Sequence, residues 1–185
     1  MIVVANYADV ETDAPPVIGW LSAPRTIDPV RPADFDTLEE IHAEAFLAPW
    51  SADEQAILND NPGVATFVAR RGTATASRRP VGFITVRQAA DEGEILTMAV
   101  MPRHRNAGVG QMLLEAALRH LYKDRVSEVF LEVDPANEAA LALYRRAGFE
   151  AVGERPDYYE AGEEGGRQKA LTMRLTLKQP ALAKG

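Results

Sequence analysis

The stretch from Glu94 to Lys123 constrains this chain more than any other: a strand, a loop with glycines, then a helix. Glu94-Ile95-Leu96-Thr97-Met98-Ala99-Val100 reads as a strong strand. Val109, Leu113, Ala116, Ala117, His120 and Leu121 recur at helical spacing and mark a helix of about four turns. Between them lies Arg103-His104-Arg105-Asn106-Ala107-Gly108-Val109-Gly110. The first amides of a helix have no helical partner. Glycine lets the backbone approach a ligand and take positive φ. Such a unit binds phosphate through its amides and its positive dipole end. Arg103 and Arg105 add two cations there. A nucleoside-triphosphate loop needs Gly-Lys-Ser/Thr, but Gly110 is followed by Gln111-Met112. A dinucleotide loop needs three glycines, and only two stand here. What is left is Arg105-x-x-Gly108-x-Gly110, or simply a helix entry with turn glycines.

The rest of the chain alternates strands and helices. Thr26–Val30 reads as a short strand. Phe35, Leu38, Ile41, Ala45 and Phe46 make Ala33–Phe46 an amphipathic helix. Ser51 and Glu54 form a capping-box signature for a second helix, Ala52–Asn59, which Asn61-Pro62-Gly63 stops. Val64–Arg71 and Val81–Gln88 read as strands around a small, polar hairpin loop, Gly72–Arg79. Val126–Val133 is a buried-type strand, and Glu138–Ala147 a helix ended by Gly148. Phe149–Glu154 and Ala170–Leu177 close the pattern. The expected fold class is α/β (α+β), with one mixed sheet and helices on its faces. Residues 1–25 read as an irregular extension, 26–177 as the body and 178–185 as a tail.

Val129-Phe130-Leu131-Glu132-Val133 carries one charge inside an apolar strand. An unpaired buried carboxylate is costly, so Glu132 either faces water or has a task. Tyr144 follows in the next helix, either as core packing or with a working hydroxyl. Asn137 is well suited to cap that helix.

The 185 residues suit a single domain with one substantial core. Formal charge is 20 minus 27, or −7, which disfavours a general nucleic-acid binder and suits a cationic substrate. There is no cysteine, so disulfides and thiolate chemistry are excluded. His42, His104 and His120 show no ligand spacing, and no metal is expected. His42 reads as a helix-face residue with no catalytic role, and His120 as structural. No signal peptide or membrane-spanning apolar run is visible, so a soluble cytoplasmic protein is expected.

Leu131-Glu132-Val133-x-x-x-Asn137 followed by Ala142-Leu143-Tyr144-x-x-x-Gly148-Phe149 resembles the second half of GNAT acetyltransferase domains. The nearest likeness is to the RimI-type ribosomal-protein-alanine N-acetyltransferases. Arg105-x-x-Gly108-x-Gly110 resembles the loop that holds the CoA pyrophosphate in that superfamily. Ala45-Phe46 with Pro49-Trp50-Ser51 is similar to the group's loop between its first two helices. Glu94–Val100 is similar to its cofactor strand, and Tyr158-Tyr159 with Ala170–Met173 to its closing hairpin. The resemblance covers about residues 30–176. Pro156-Asp157 stands where the group commonly has a basic residue, and the N-terminal extension is unusual.

The resemblance implies the GNAT fold, with a mostly antiparallel sheet of about six to seven strands. It implies direct transfer from acetyl-CoA, as cosubstrate, to an amine, with no metal. It makes Glu132 the base and Tyr144 the acid that protonates the CoA thiolate. Met98, Ala99 and Val100 would bind the pantetheine arm with Asn137 and Tyr144. Arg103, Arg105, Asn106, Ala107, Gly108, Val109 and Gly110 would cradle the pyrophosphate. Phe46, Trp50, Tyr158 and Tyr159 would line a groove for a peptide N-terminus, that of a ribosomal protein in the leading reading. No direct nucleic-acid or membrane partner is implied. Two alternatives stay open: acetylation of a small amine or a lysine side chain, and a catalytically silent acetyl-CoA-binding module.

Overall fold

Apolar alternation in the strands and apolar stripes on the helices are resolved into one sheet covered on both faces. The computed structural model describes residues 3–4, 25–72, 79–159 and 168–177; for 3–4, 156–159 and 168 it gives only the backbone course. The sheet comprises β1 (Val3–Val4), β2 (Arg25–Pro29), β3 (Val64–Arg71), β4 (Pro80–Ala89), β5 (Glu92–Val100), β6 (Glu128–Val133), β7 (Glu150–Tyr159) and β8 (Gln168–Thr176). The helices are α1 (Phe35–Ala43), α2 (Ala52–Asn59), α3 (Val109–Lys123) and α4 (Glu138–Arg146). Seven strands run in the order β2-β3-β4-β5-β6-β8-β7, with β1 attached to β5. Along that path every pair is antiparallel except β5 with β6. The expected sheet size and mixed, mostly antiparallel character hold.

Two cores lie on opposite faces. The larger holds Val109, Leu113, Leu114, Ala117 and Leu121 of α3, Leu141 and Tyr144 of α4, and Val129, Leu131 and Val133 of β6. The smaller packs Leu38 and Ile41 of α1 and the following Ala45 on Val68, Phe83 and Ala99. Beneath the smaller core, Asp34 and Arg70 are both buried and joined by two hydrogen bonds, 3.0 and 2.6 Å.

Three features position the site. The β4–β5 register runs from Thr85↔Thr97 to Val86↔Ile95, so Leu96 is an extra residue in β5. This bulge lets Ile95 and Met98 both face the larger core while Thr97 turns to the other side. The β5–β6 pairing covers only Glu92↔Glu128, Gly93↔Val129 and Glu94↔Phe130, and beyond it the strands part. Into that parting, β1 pairs parallel to β5 at Val3↔Thr97 and Val4↔Met98.

Several boundaries differ from expectation. α1 is shorter than Ala33–Phe46, because Pro32–Asp34 forms a 3-10 turn in which the Asp34 carboxylate accepts the Arg31 amide at 2.7 Å. Val3–Val4 is a strand inside the segment expected to be irregular. β7 continues past the expected end at Glu154 through Tyr159, so Tyr158 and Tyr159 lie in the strand. Most of the hairpin loop after Gly72, the acidic segment 160–167, the rest of the N-terminal extension with Trp20 and Leu21, and the tail lie outside the described residues.

Candidate active site

The loop after β5 begins with a 3-10 turn, Pro102–His104. Asn106 then takes φ 55° and Gly108 φ 77°, and Gly108 opens α3 without any side-chain cap. The positive φ itself favours glycine at 108, and nothing lies within 4 Å of where a Cβ would stand, so the loop is open there. Gly110 faces Leu143 of α4, whose Cδ2 would sit 3.4 Å from an added Cβ. Uncapped first-turn amides beside open space at Gly108 fit an anionic group such as a pyrophosphate.

Cations gather at this loop. Arg105 donates from Nε to the Val100 carbonyl at 3.1 Å, tying the loop to the end of β5. Arg25 of β2 donates to the Ala107 carbonyl at 2.6 Å. Arg25 lies opposite Arg71 across β2 and β3. A like-charge cross-strand pair is unfavourable unless an anion is near. His104 is buried against these groups, and its Nε2 accepts from Arg103 Nε at 3.4 Å. Burial first, then Arg103, Arg71 and Arg25, hold its imidazole below the usual range. Arg25 and Arg71 carry no signal in the sequence, because strand pairing brings them to the loop from far away in the chain.

On β6, the alternation that sends Leu131 and Val133 into the larger core turns Glu132 to the opposite face. Glu132 is buried, at 8% exposure. Its Oε1 accepts from Arg155 of β7 at 3.3 Å, while Oε2 is buried with no hydrogen-bond partner among the described residues. Arg155 carries no signal in the sequence, because its strand is placed near β6 only through the inserted β8.

Tyr144 is fully buried in the larger core and meets Phe149 edge-on, ring centres 5.7 Å apart. Tyr144 and Glu132 therefore flank the β5–β6 region from opposite faces. Asn137 caps α4, accepting the Ala140 amide at 3.0 Å. Met98, Ala99 and Val100 are all buried along β5, and Met98 is paired with Val4 of β1. Phe46 and Trp50 pack on His42 with ring centres 4.1 and 5.2 Å away. They sit on the α1–α2 face, the same face as Glu132. Tyr158 and Tyr159 are placed by backbone only, and Val109 is buried in the larger core.

The structure thus joins an anion-type helix entry at the end of β5 to a parted strand pair flanked by a carboxylate and a phenol. Such a layout is compatible with acyl transfer from a phosphate-bearing donor. The chain belongs to the GNAT family and is an acetyl-CoA-dependent N-acetyltransferase: the family model described as Acetyltransferase (GNAT) family matches residues 35–149. The chain is 30% identical over 147 residues to a [ribosomal protein bS18]-alanine N-acetyltransferase of Haemophilus influenzae, covering 80% of this chain and 95% of that one. It is 28% identical to the Escherichia coli protein of that name over 158 residues, covering 82% and 97%. A crystal structure of the Escherichia coli ribosomal-protein-S18-alanine N-acetyltransferase superposes with a TM-score of 0.72, covering 86% of this chain and 99% of that chain. Among the described residues no helix is long and apolar enough to cross a membrane.

Proposed function

We propose that this enzyme acetylates the α-amine of a protein N-terminus, specifically an N-terminal alanine of a ribosomal protein, in the cytoplasm. The observation that carries the reading is Glu132: a buried carboxylate with one oxygen unpartnered among the described residues, on the face of the α1–α2 loop. The names of the relatives support the acceptor, since they act on the alanine of bS18.

The chemistry follows from the placement. Acetyl-CoA supplies an activated acetyl group. Residues Arg103, Arg105, Asn106, Ala107, Gly108, Val109 and Gly110 hold its pyrophosphate, and the β5 edge at Met98–Val100 takes the pantetheine arm, with Asn137 and Tyr144 beside it. An amine attacks only when neutral. A peptide α-amine has a pKa near 8, so about a tenth is neutral at pH 7; a lysine amine, near 10.4, is far less so. Glu132 accepts the amine's proton from the α1–α2 side, directly or through water. Tyr144 gives a proton to the departing thiolate from the other face. Phe46, Trp50, Tyr158 and Tyr159 line the acceptor groove. The enzyme's negative charge favours a cationic N-terminus over nucleic acid, and no membrane partner is invoked.

The test is CoA release with two peptides, one with a free N-terminal alanine and no lysine, the other blocked with one internal lysine. Turnover of the first alone supports the reading. Turnover of the second alone assigns lysine acetylation, and turnover of neither leaves a small-amine enzyme or a silent binder.

A further inference from the structure

His42 is expected from sequence to be an ordinary helix-face residue, yet it is fully buried between α1, α2, β4 and β5. Its two ring nitrogens have different partners. Nδ1 lies 3.1 Å from the Trp50 backbone nitrogen, an N–H that can only donate. Nδ1 is therefore unprotonated, and in the neutral ring the proton sits on Nε2. Nε2 then donates to Thr97 Oγ1 on β5 at 3.3 Å. The other end of Trp50 is held too, its carbonyl accepting from Gln55 Nε2 of α2 at 3.0 Å. The Trp50 indole stacks on the imidazole at an angle of 16°, and Phe46 and Phe83 close around it.

Thr97 is where β5 turns from the bulge towards the α1–α2 face, and where β5 has parted from β6. One imidazole thus ties the loop between the first two helices to the strand edge at the reaction centre. The charged group facing it is Glu54 of α2; the groups from β4, β5 and the loop are uncharged. Burial, opposed weakly by Glu54, lowers its pKa to about 4, so the neutral tautomer persists across the working range.

We propose that His42, through its bridge from Thr97 to the Trp50 amide, is a positioning residue that sets the acceptor side of the active site. It touches neither acetyl-CoA nor the amine. It fixes the distance between the Phe46–Trp50 wall and β5, and so governs how the acceptor peptide seats beside Glu132. This rests on the acceptor groove assigned under the proposed function.

Steady-state kinetics with the alanine peptide and acetyl-CoA varied in turn test it. His42→Phe keeps the stacked ring and removes both hydrogen bonds. The peptide KM should rise about tenfold, the equivalent of about 1.4 kcal/mol, with the acetyl-CoA KM within about twofold. His42→Gln carries one donor and one acceptor and should recover most of the loss. An unchanged peptide KM in His42→Phe, or an equal rise in both KM values, overturns the proposal. If His42→Phe does not fold, the nitrogen-15 shifts of His42 in the wild-type protein decide: protonated Nε2 supports the bridge and protonated Nδ1 refutes it. A wild-type enzyme with no turnover refutes the acetyltransferase acceptor reading, whereas wild-type turnover with an indifferent His42→Phe refutes this inference alone.

Discussion

Replacing Glu132 by Gln probes the base with little change of shape. The amide keeps an oxygen to accept from Arg155, now 3.3 Å away, so the fold should survive. The perturbation removes the one buried carboxylate oxygen in the parted region that has no hydrogen-bond partner among the described residues. At pH 7 the variant can use only the neutral tenth or so of a peptide α-amine, which by itself costs about tenfold. Losing a positioned proton acceptor raises the loss in kcat/KM to about 10²- to 10³-fold, or roughly 3–4 kcal/mol. By pH 9 the amine is already neutral, so the deficit should shrink about tenfold. Release of CoA thiol reports the rate directly, and the chain has no cysteine to add background. A variant within twofold of wild type at pH 7, with the same pH profile, would refute the role of Glu132.

Other expectations follow from the same geometry. Tyr144→Phe keeps the edge-on contact with Phe149 and should retain thermal stability and acetyl-CoA KM while kcat falls at least about tenfold, as stopped-assay kinetics will reveal. His42 titrates near 6.5 when unfolded and near 4 when folded. The unfolded chain therefore binds the extra proton, and stability falls as pH drops from 6.5 to 4, by about 3 kcal/mol at most. The drop in urea midpoint from pH 7 to pH 4.5 should be larger for wild type than for His42→Gln. β1 pairs with β5 at Thr97 and Met98, and the proposed function gives Met98 to the pantetheine arm. Deleting residues 1–24 should lower the acetyl-CoA KM, and an unchanged or higher KM would show that β1 does not compete.

Much of the fold is legible because its determinants are local. The Ser51–Glu54 capping box forms as its spacing implies, with Ser51 Oγ accepting the Glu54 amide at 3.2 Å and Glu54 accepting the Ser51 amide at 2.8 Å. Gly108 takes the left-handed conformation its place before α3 requires. Glu132 stands on the face opposite the apolar residues that alternate with it. The missed features are contacts between distant elements. Arg25 reaches Ala107 from 82 positions away, and Arg155 reaches Glu132 through the order in which β8 slips between β6 and β7. Periodicity says which face of a strand is apolar, but not which strand lies beside it. His42 misleads for the same reason: its partners lie in the loop after α1 and on β5, 55 positions on.

The most direct measurement is the site of acetylation on one peptide that carries both an N-terminal alanine and an internal lysine. After incubation with acetyl-CoA, fragment mass spectrometry should locate a single acetyl group on the alanine α-amine and none on the lysine. Acetyl on the lysine, or on neither amine, would contradict the account.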